Sequence, residues 1–215
     1  YEDTRQSVLR IIGAPAQRYR EDPVRMLRAI RLSEKLNLTI DAKTKAPFKK
    51  LAGLLGDVPT ARLFDEFIKI IKSGSSASAV EKIVTYGFHA ALFKKLGKIN
   101  EKSKEGEFLQ LVFGKTDERI NSGKSVSPAF LFAAVLWSDV KKKWNYVEGD
   151  PKYMGALVRS IDDVCDGMGE TFIPKRLIAD VRDIWYLQGR LLARRGKKPA
   201  QTLRHGRFRA GYDFL

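Results

Sequence analysis

Residues 18–31 read RYREDPVRMLRAIR, and this stretch decides the class of fold. Met26 and Ile30 lie four residues apart, which is the spacing of one helix face. Pro23 suits the first turn of a helix, and Asp22 before it is a residue type that caps helix N-termini. The pattern therefore predicts a helix that begins at Asp22 and Pro23.

The same helical spacing continues along the rest of the chain, with Gly at the end of segment after segment. Alternation with a period of two residues is almost absent, so we expect few or no strands. The sequence therefore predicts an all-α fold of several helices. They span about residues 23–36, 42–55, 59–73, 75–86, 88–96, 104–121, 128–144, 151–168 and 174–196, with short helices near 201 and 208.

The composition excludes several classes of protein. Of the 215 residues, 44% are hydrophobic and 30% are charged, which excludes a wholly disordered chain. The single cysteine, Cys165, cannot form an internal disulfide, and this predicts a cytoplasmic location. The apolar run at 129–137 is too short to cross a membrane, since a spanning helix needs about 20 residues, so no membrane span is predicted.

The charge predicts a polyanionic partner such as RNA. The formal net charge is +15, and residues 184–212 contain no Asp or Glu. Cations that end a helix are also favoured by the helix dipole, but this accounts for only a few of them. We predict that the basic residues of this stretch bind RNA phosphates. They are Arg190, Arg194, Arg195, Lys197, Lys198, Arg204, Arg207 and Arg209.

Asp22 and Arg25 lie three residues apart, so on a helix they are neighbours. A carboxylate beside a guanidinium is an acceptor beside a donor. This order matches the Watson–Crick edges of adenine and cytosine, whereas guanine and uracil present an N–H where an acceptor is needed. The simpler interpretation is that Asp22 caps the helix and forms a weak surface ion pair with Arg25.

The segment from Glu21 to Arg25 resembles the Glu-Asp-x-x-Arg motif of class II nucleotidyltransferases. This family comprises bacterial tRNA CCA-adding enzymes and poly(A) polymerases. Arg28-Ala29-Ile30-Arg31 is similar to the usual continuation, although Leu32 stands where the family usually has Phe. The resemblance implies that Asp22 and Arg25 recognise the base of the incoming nucleotide. It implies supporting roles in the nucleotide site for Arg18, Glu21 and Arg28.

Residues 59–66, PTARLFDE, resemble a second motif of the family. There an Arg and a Glu four residues apart brace the base-recognition helix, and Arg62 and Glu66 have this spacing. We assign them a structural role, hardly different from an ordinary ion pair along one helix. Four further segments are similar to the poly(A) polymerase branch of the family. They are residues 127–134, 173–177, 182–185 and 207–213.

The resemblance implies a division into a neck domain for base recognition and an RNA-binding body. The polar stretch 99–106 is the predicted linker, which gives a neck at 1–99 and a body at 100–215. The catalytic head, with its Mg²⁺ ligands, is expected before residue 1, so this chain is expected to hold neither catalytic residues nor a metal. The implied activity of the intact protein is addition of AMP from ATP to RNA 3′ ends.

Two alternatives remain open at the level of sequence. A CCA-adding enzyme would use the same base-recognition pair, because that pair accepts both A and C. A non-catalytic, all-α RNA-binding module would explain the basic charge without any enzymatic role.

We predict that the isolated chain of 215 residues incorporates no AMP into RNA. Its sequence contains no paired carboxylates at the spacing of metal ligands and no phosphate-binding loop. The measurement is extension of a labelled RNA by the pure chain with ATP and Mg²⁺. Template-independent extension would contradict the prediction.

Overall fold

The computed structural model describes residues 2–145, 152–167, 173–192 and 198–214, and of residue 198 the backbone alone. Helices dominate these residues, and the strands present are two residues long each. The prediction of an all-α fold is confirmed. The chain forms two compact units, Tyr1–Val126 and Ser127–Leu215.

The first unit is built on the packing of four helices, with α3 against α6 and α7, and α9 against α7. Two short strands pair in parallel, with Val8 opposite Thr39. In chain order the elements are α1 (Glu2–Arg5), β1 (Val8–Leu9), α2 (Pro15–Glu21), α3 (Val24–Lys35), β2 (Thr39–Ile40), α4 (Ala42–Lys45), α5 (Phe48–Leu51), a 3₁₀ helix (Ala52–Asp57), α6 (Thr60–Ile71), α7 (Ser76–Thr85), α8 (His89–Leu92), a 3₁₀ helix (Lys94–Asn100) and α9 (Lys104–Asn121).

The structure differs from the predicted helices at three places. The helix expected over about residues 88–96 is divided into α8 and a 3₁₀ helix, because the backbone of Phe93 is extended. The single helix expected over about residues 42–55 is divided into α4, α5 and a 3₁₀ helix. Pro47 separates α4 from α5, because it lacks the N–H that a continuous helix needs. Asp22 lies between α2 and α3, and Pro23 is the N-cap of α3. The Asp22 carboxylate does not cap this helix and instead accepts a hydrogen bond from Arg62.

The core of the first unit contains an aromatic cluster around buried Phe48. Its ring lies 5.4 Å from Tyr19, 5.0 Å from Tyr86 and 5.5 Å from Phe88. The Tyr19 hydroxyl donates to the carbonyl of Thr44 at 3.0 Å, so its buried polar atom has a partner. Burial raises the pKa of Tyr19 to about 12. The cluster holds α2, which carries Tyr19, against α4 and α5.

The second unit is arranged around the apolar helix α10. Its elements are α10 (Pro128–Trp144), α11 (Tyr153–Gly167), α12 (Lys175–Leu192), α13 (Lys198–Leu203) and α14 (Phe208–Asp213). The indole Nε1 of fully buried Trp185 donates to the carbonyl of Ala133 at 3.0 Å, which fixes α12 on α10. The predicted end of α12, near residue 196, lies outside the described residues.

Helix α14 approaches α12 closely because residue 211 is a glycine. A Cβ atom at Gly211 would lie 2.7 Å from side-chain atoms of Leu187, which is too close for any real contact. The Gln188 side chain donates to the Gly211 carbonyl at 2.9 Å. After the helix, the ring of Phe214 packs edge-on against Phe130 and Trp137. These contacts hold the short helix in one place.

The structure places the boundary between units later than the sequence predicted. The Asp117 carboxylate of α9 accepts from the backbone N–H groups of Ser76 at 2.7 Å and Ala77 at 2.9 Å, so it caps the N-terminus of α7. Helix α9 therefore belongs to the first unit, and a boundary between residues 99 and 100 does not match these compact units. The assignment of neck and body functions to 1–99 and 100–215 stays a prediction.

Within the described parts of the chain, each helix is too short or too polar to cross a bilayer.

Replacing Asp117 with Ala should lower the free energy of unfolding of the first unit by about 1–2 kcal/mol, because the first N–H groups of α7 lose their acceptor. Urea unfolding followed by circular dichroism measures this change. Glu118→Ala is the matched control, because Glu118 is exposed and pairs with Lys115 on the surface of the same helix. The control should change stability by less than about 0.5 kcal/mol, and equal losses in both variants would contradict the capping role.

Candidate nucleotide-recognition site

The Asp22 carboxylate lies among three arginines at the junction of α2 and α3. Its Oδ1 accepts from Nη2 of Arg62, on α6, at 3.0 Å. Its Oδ2 lies 3.8 Å from Nε of Arg25 and 3.6 Å from Nη1 of Arg28. These two distances are beyond hydrogen-bond length, so Oδ2 retains the capacity to accept from a ligand.

Glu66 is the buried anchor beneath this junction. Its side chain is 2% exposed and accepts from Nε of Arg31 at 2.6 Å and Nε of Arg28 at 3.4 Å. Lys69 lies 3.7 Å away on the same helix. A buried carboxylate needs such partners, because the loss of hydration is otherwise uncompensated. Glu66 therefore fixes α6 against α3.

The predicted supporting residues Arg18 and Glu21 extend the cluster along α2. Nη1 of Arg18 lies 2.9 Å from Oε2 of Glu21, and the Arg18 Nε donates to the Ile12 carbonyl at 3.2 Å. The same Glu21 oxygen lies 4.0 Å from Nη1 of Arg25. All of the residues predicted for the nucleotide site are thus brought together in one network.

This network, which we call the arginine cluster, carries more positive than negative charge. Its carboxylates are Glu21, Asp22 and Glu66, and its cations are Arg18, Arg25, Arg28, Arg31, Arg62 and Lys69. Most of the cations are a third or more exposed, so they face solvent as well as the carboxylates. An excess of cations at an exposed site favours an anionic ligand such as a phosphate group.

Arg62 and Glu66 make their contacts across helices, which differs from an ion pair along α6. Arg62 binds Asp22, whereas Glu66 binds Arg31 and Arg28. The sequence predicted no site role for Arg31 or Lys69. Arg31 lies three residues after Arg28 and therefore on the same side of α3. That spacing was the available signal.

The predicted RNA-binding residues fall partly outside the described residues: Arg194, Arg195 and Lys197 lie there, as does the side chain of Lys198. Arg207 pairs with Asp180 at 2.6 Å, and Arg209 pairs with Asp213 at 2.9 Å. The Arg190 guanidinium lies 5.9 Å from the centre of the Tyr186 ring, and Arg204 is exposed. Among the described residues, no group of His, Cys, Asp or Glu side chains could hold a metal ion.

Two family models match separate parts of the sequence. Residues 37–99 match "Probable RNA and SrmB- binding site of polymerase A", and residues 149–215 match "Polymerase A arginine-rich C-terminus". Poly(A) polymerase I of Salmonella typhi is 38% identical over 100% of this chain and 47% of the relative. The chain belongs to the bacterial poly(A) polymerase family.

Other poly(A) polymerases match to the same extent. Poly(A) polymerase I of Escherichia coli O157:H7 is 39% identical, again over 100% of this chain and 47% of the relative. The chain thus spans about half the length of these curated relatives. The CCA-adding enzyme of Bacillus subtilis is 34% identical, but over only 39% of this chain and 21% of the relative. The predicted resemblance is confirmed for the poly(A) polymerase branch.

Replacing Glu66 with Gln should lower the free energy of unfolding of the first unit by about 1–3 kcal/mol, because Arg31 and Arg28 lose a buried anionic partner. Denaturant unfolding measures the loss. Asp65→Asn is the matched control, since Asp65 is an exposed carboxylate on the same helix. If the control destabilises as much as Glu66→Gln, Glu66 is not the anchor of the cluster.

Proposed function

We propose that this chain supplies base recognition and RNA binding to a longer, template-independent polymerase that adds AMP from ATP to RNA 3′ ends. The observation that carries the proposal is the arrangement at Asp22, where Arg62 holds one carboxylate oxygen and Arg25 lies beside the other. The similarity to poly(A) polymerases over the whole chain supports it independently.

The Asp22 and Arg25 side chains suit the edge of an adenine base. The Asp22 Oδ2 would accept from the exocyclic amino group, and the Arg25 guanidinium would donate to the ring nitrogen N1. Arg62 occupies only Oδ1, so it orients the carboxylate without blocking this contact. Guanine and uracil carry an N–H at the position that faces Arg25, which would leave two donors opposed. An unpaired donor in a closed site costs free energy, and this penalty would discriminate against guanine and uracil.

The remaining cations of the arginine cluster suit the triphosphate. Arg18 and Arg28 have side chains about two-fifths exposed, at 40% and 43%, and both lie within one or two helical turns of Asp22. An arginine holds a phosphate through paired N–H donors, so either side chain could exchange its carboxylate partner for the nucleotide. This assigns base recognition to Asp22 and Arg25, and phosphate contact to Arg18 and Arg28.

RNA binding is assigned to the basic residues near the C-terminus. Phosphate contacts hold a nucleic acid without regard to sequence, which suits a polymerase that acts on many transcripts. The phosphoryl-transfer step is assigned to Mg²⁺ ligands outside this chain, where the metal would stabilise the attacking and leaving oxygens. A cytoplasmic location, predicted from the cysteine content, belongs to the same proposal.

CCA addition to tRNA is the second candidate, because cytosine presents the same donor and acceptor order as adenine. The similarity to CCA-adding enzymes covers 39% of the chain, whereas that to poly(A) polymerases covers all of it, and this favours AMP addition. The longer protein should be assayed with ATP and CTP separately, on a tRNA that lacks its terminal CCA. Incorporation of CMP at the rate of AMP would favour the CCA-adding function.

In the longer protein, Asp22→Ala should reduce discrimination for ATP over GTP by about 1–3 kcal/mol, or roughly 5- to 150-fold, because one specific hydrogen-bonded pair is lost. The measurement is kcat/KM for each nucleotide. Asp57→Ala removes an exposed carboxylate from the same unit and should leave the ratio unchanged. Unchanged discrimination in Asp22→Ala, with an intact fold by circular dichroism, would contradict the base-recognition role.

A further inference from the structure

Half-buried Phe208 and exposed Tyr212 form an aromatic pair on α14. The two residues lie one turn apart, and their rings stack with centroids 5.8 Å apart and an angle of 28° between planes. Tyr212 is 56% exposed, which is high for a large aromatic residue. One face of its ring packs on Phe208, so the exposed area belongs to the rest of the ring.

The pair is carried on a helix that is held rigidly. Gly211 packs against Leu187, and the Gln188 side chain fixes the carbonyl of the same glycine at 2.9 Å. Phe214 packs against the rings of Phe130 and Trp137. Because the opposite side of α14 is buried in this way, the Tyr212 ring is presented to solvent at a fixed position, with half-buried Phe208 behind it. A ligand that stacks there would lose little of its affinity to the ordering of protein side chains.

The surroundings of the pair are basic. Arg204, Arg207 and Arg209 lie close to the pair in the chain. Arg207 pairs with Asp180 at 2.6 Å and Arg209 with Asp213 at 2.9 Å, whereas Arg204 is exposed. The Arg209 side chain is 84% exposed, and such a solvated ion pair contributes little to stability. Arg209 lies three residues before Tyr212, so the two side chains are neighbours on the helix surface. A phosphate can therefore replace Asp213 as its partner at small cost.

We propose that Tyr212, backed by Phe208, stacks on a base of single-stranded RNA while Arg209 contacts an adjacent phosphate. This inference rests on the proposed RNA binding and adds to it a site at which one RNA base is held. An aromatic ring beside a solvent-exposed cation is typical of sites that bind single-stranded nucleic acid without sequence preference, because every base has a face that can stack. A protein partner would be favoured by a wide apolar surface, whereas here the ring is flanked by arginine and the local charge is positive.

The experiment compares two ligands on the same chain. Fluorescence anisotropy measures binding of labelled oligo(A) and of an abasic phosphodiester oligomer of equal length. A length of about 12 nucleotides lies within the usual site size of proteins that bind single strands. Tyr212→Ala should weaken binding of oligo(A) by about 5- to 100-fold and leave binding of the abasic oligomer unchanged. Tyr212→Trp keeps an aromatic face and should restore affinity for oligo(A). The salt dependence should stay the same in both variants, because no charge is altered.

Leu111→Ala is the matched control, because Leu111 has the same 56% exposure but lies on α9 in the first unit. It should bind both oligomers as the unaltered chain does. Unchanged oligo(A) affinity in Tyr212→Ala, or an equal loss for the abasic oligomer, would overturn the stacking role while RNA binding itself remains. If the unaltered chain binds neither oligomer, RNA binding by this chain fails and the stacking site fails with it; the aromatic pair would then be a surface for a protein.

Discussion

The burial of one carboxylate, that of Glu66, sets the geometry on which the candidate site depends. A charge with 2% exposure is tolerated only where cations and hydrogen bonds compensate its lost hydration, and Arg31 and Arg28 supply them from α3. This requirement fixes both the rotation and the position of α6 along α3. Arg62 lies one helical turn before Glu66, so the same packing places its guanidinium beside Asp22.

Asp22 and Glu66 have different environments and therefore different roles. Glu66 is enclosed and accepts hydrogen bonds from Arg31 and Arg28, so its contribution is to the packing of α3 on α6. Asp22 is 18% exposed and has one oxygen held by Arg62. The surrounding arginines are solvated and contribute little to stability as ion pairs. The ion pairs instead orient the arginine side chains, since each carboxylate limits the positions that a long side chain can adopt.

Local spacing explains most of what could be predicted from the sequence. Helical periodicity located α3, α6, α9 and α10, and the short separation of Asp22 and Arg25 in the chain placed these side chains together at the start of α3. Contacts between distant residues left no such signal. Arg62 reaches Asp22 across 40 positions, and no spacing rule connects them. The extension of the first compact unit through α9 left no signal for the same reason, because the Asp117 cap of α7 joins residues 41 apart.

That distant cap has a consequence for the order in which a growing chain can become native. Translation at about 5–20 residues per second leaves roughly 2–8 s between the synthesis of Ser76 and that of Asp117. During that interval α7 has no partner from α9 for its first N–H groups, and its apolar face lacks part of its cover. The first unit therefore completes its folding only when α9 has emerged from the ribosome. A nascent chain halted before Asp117 would expose α7 to proteases and chaperones.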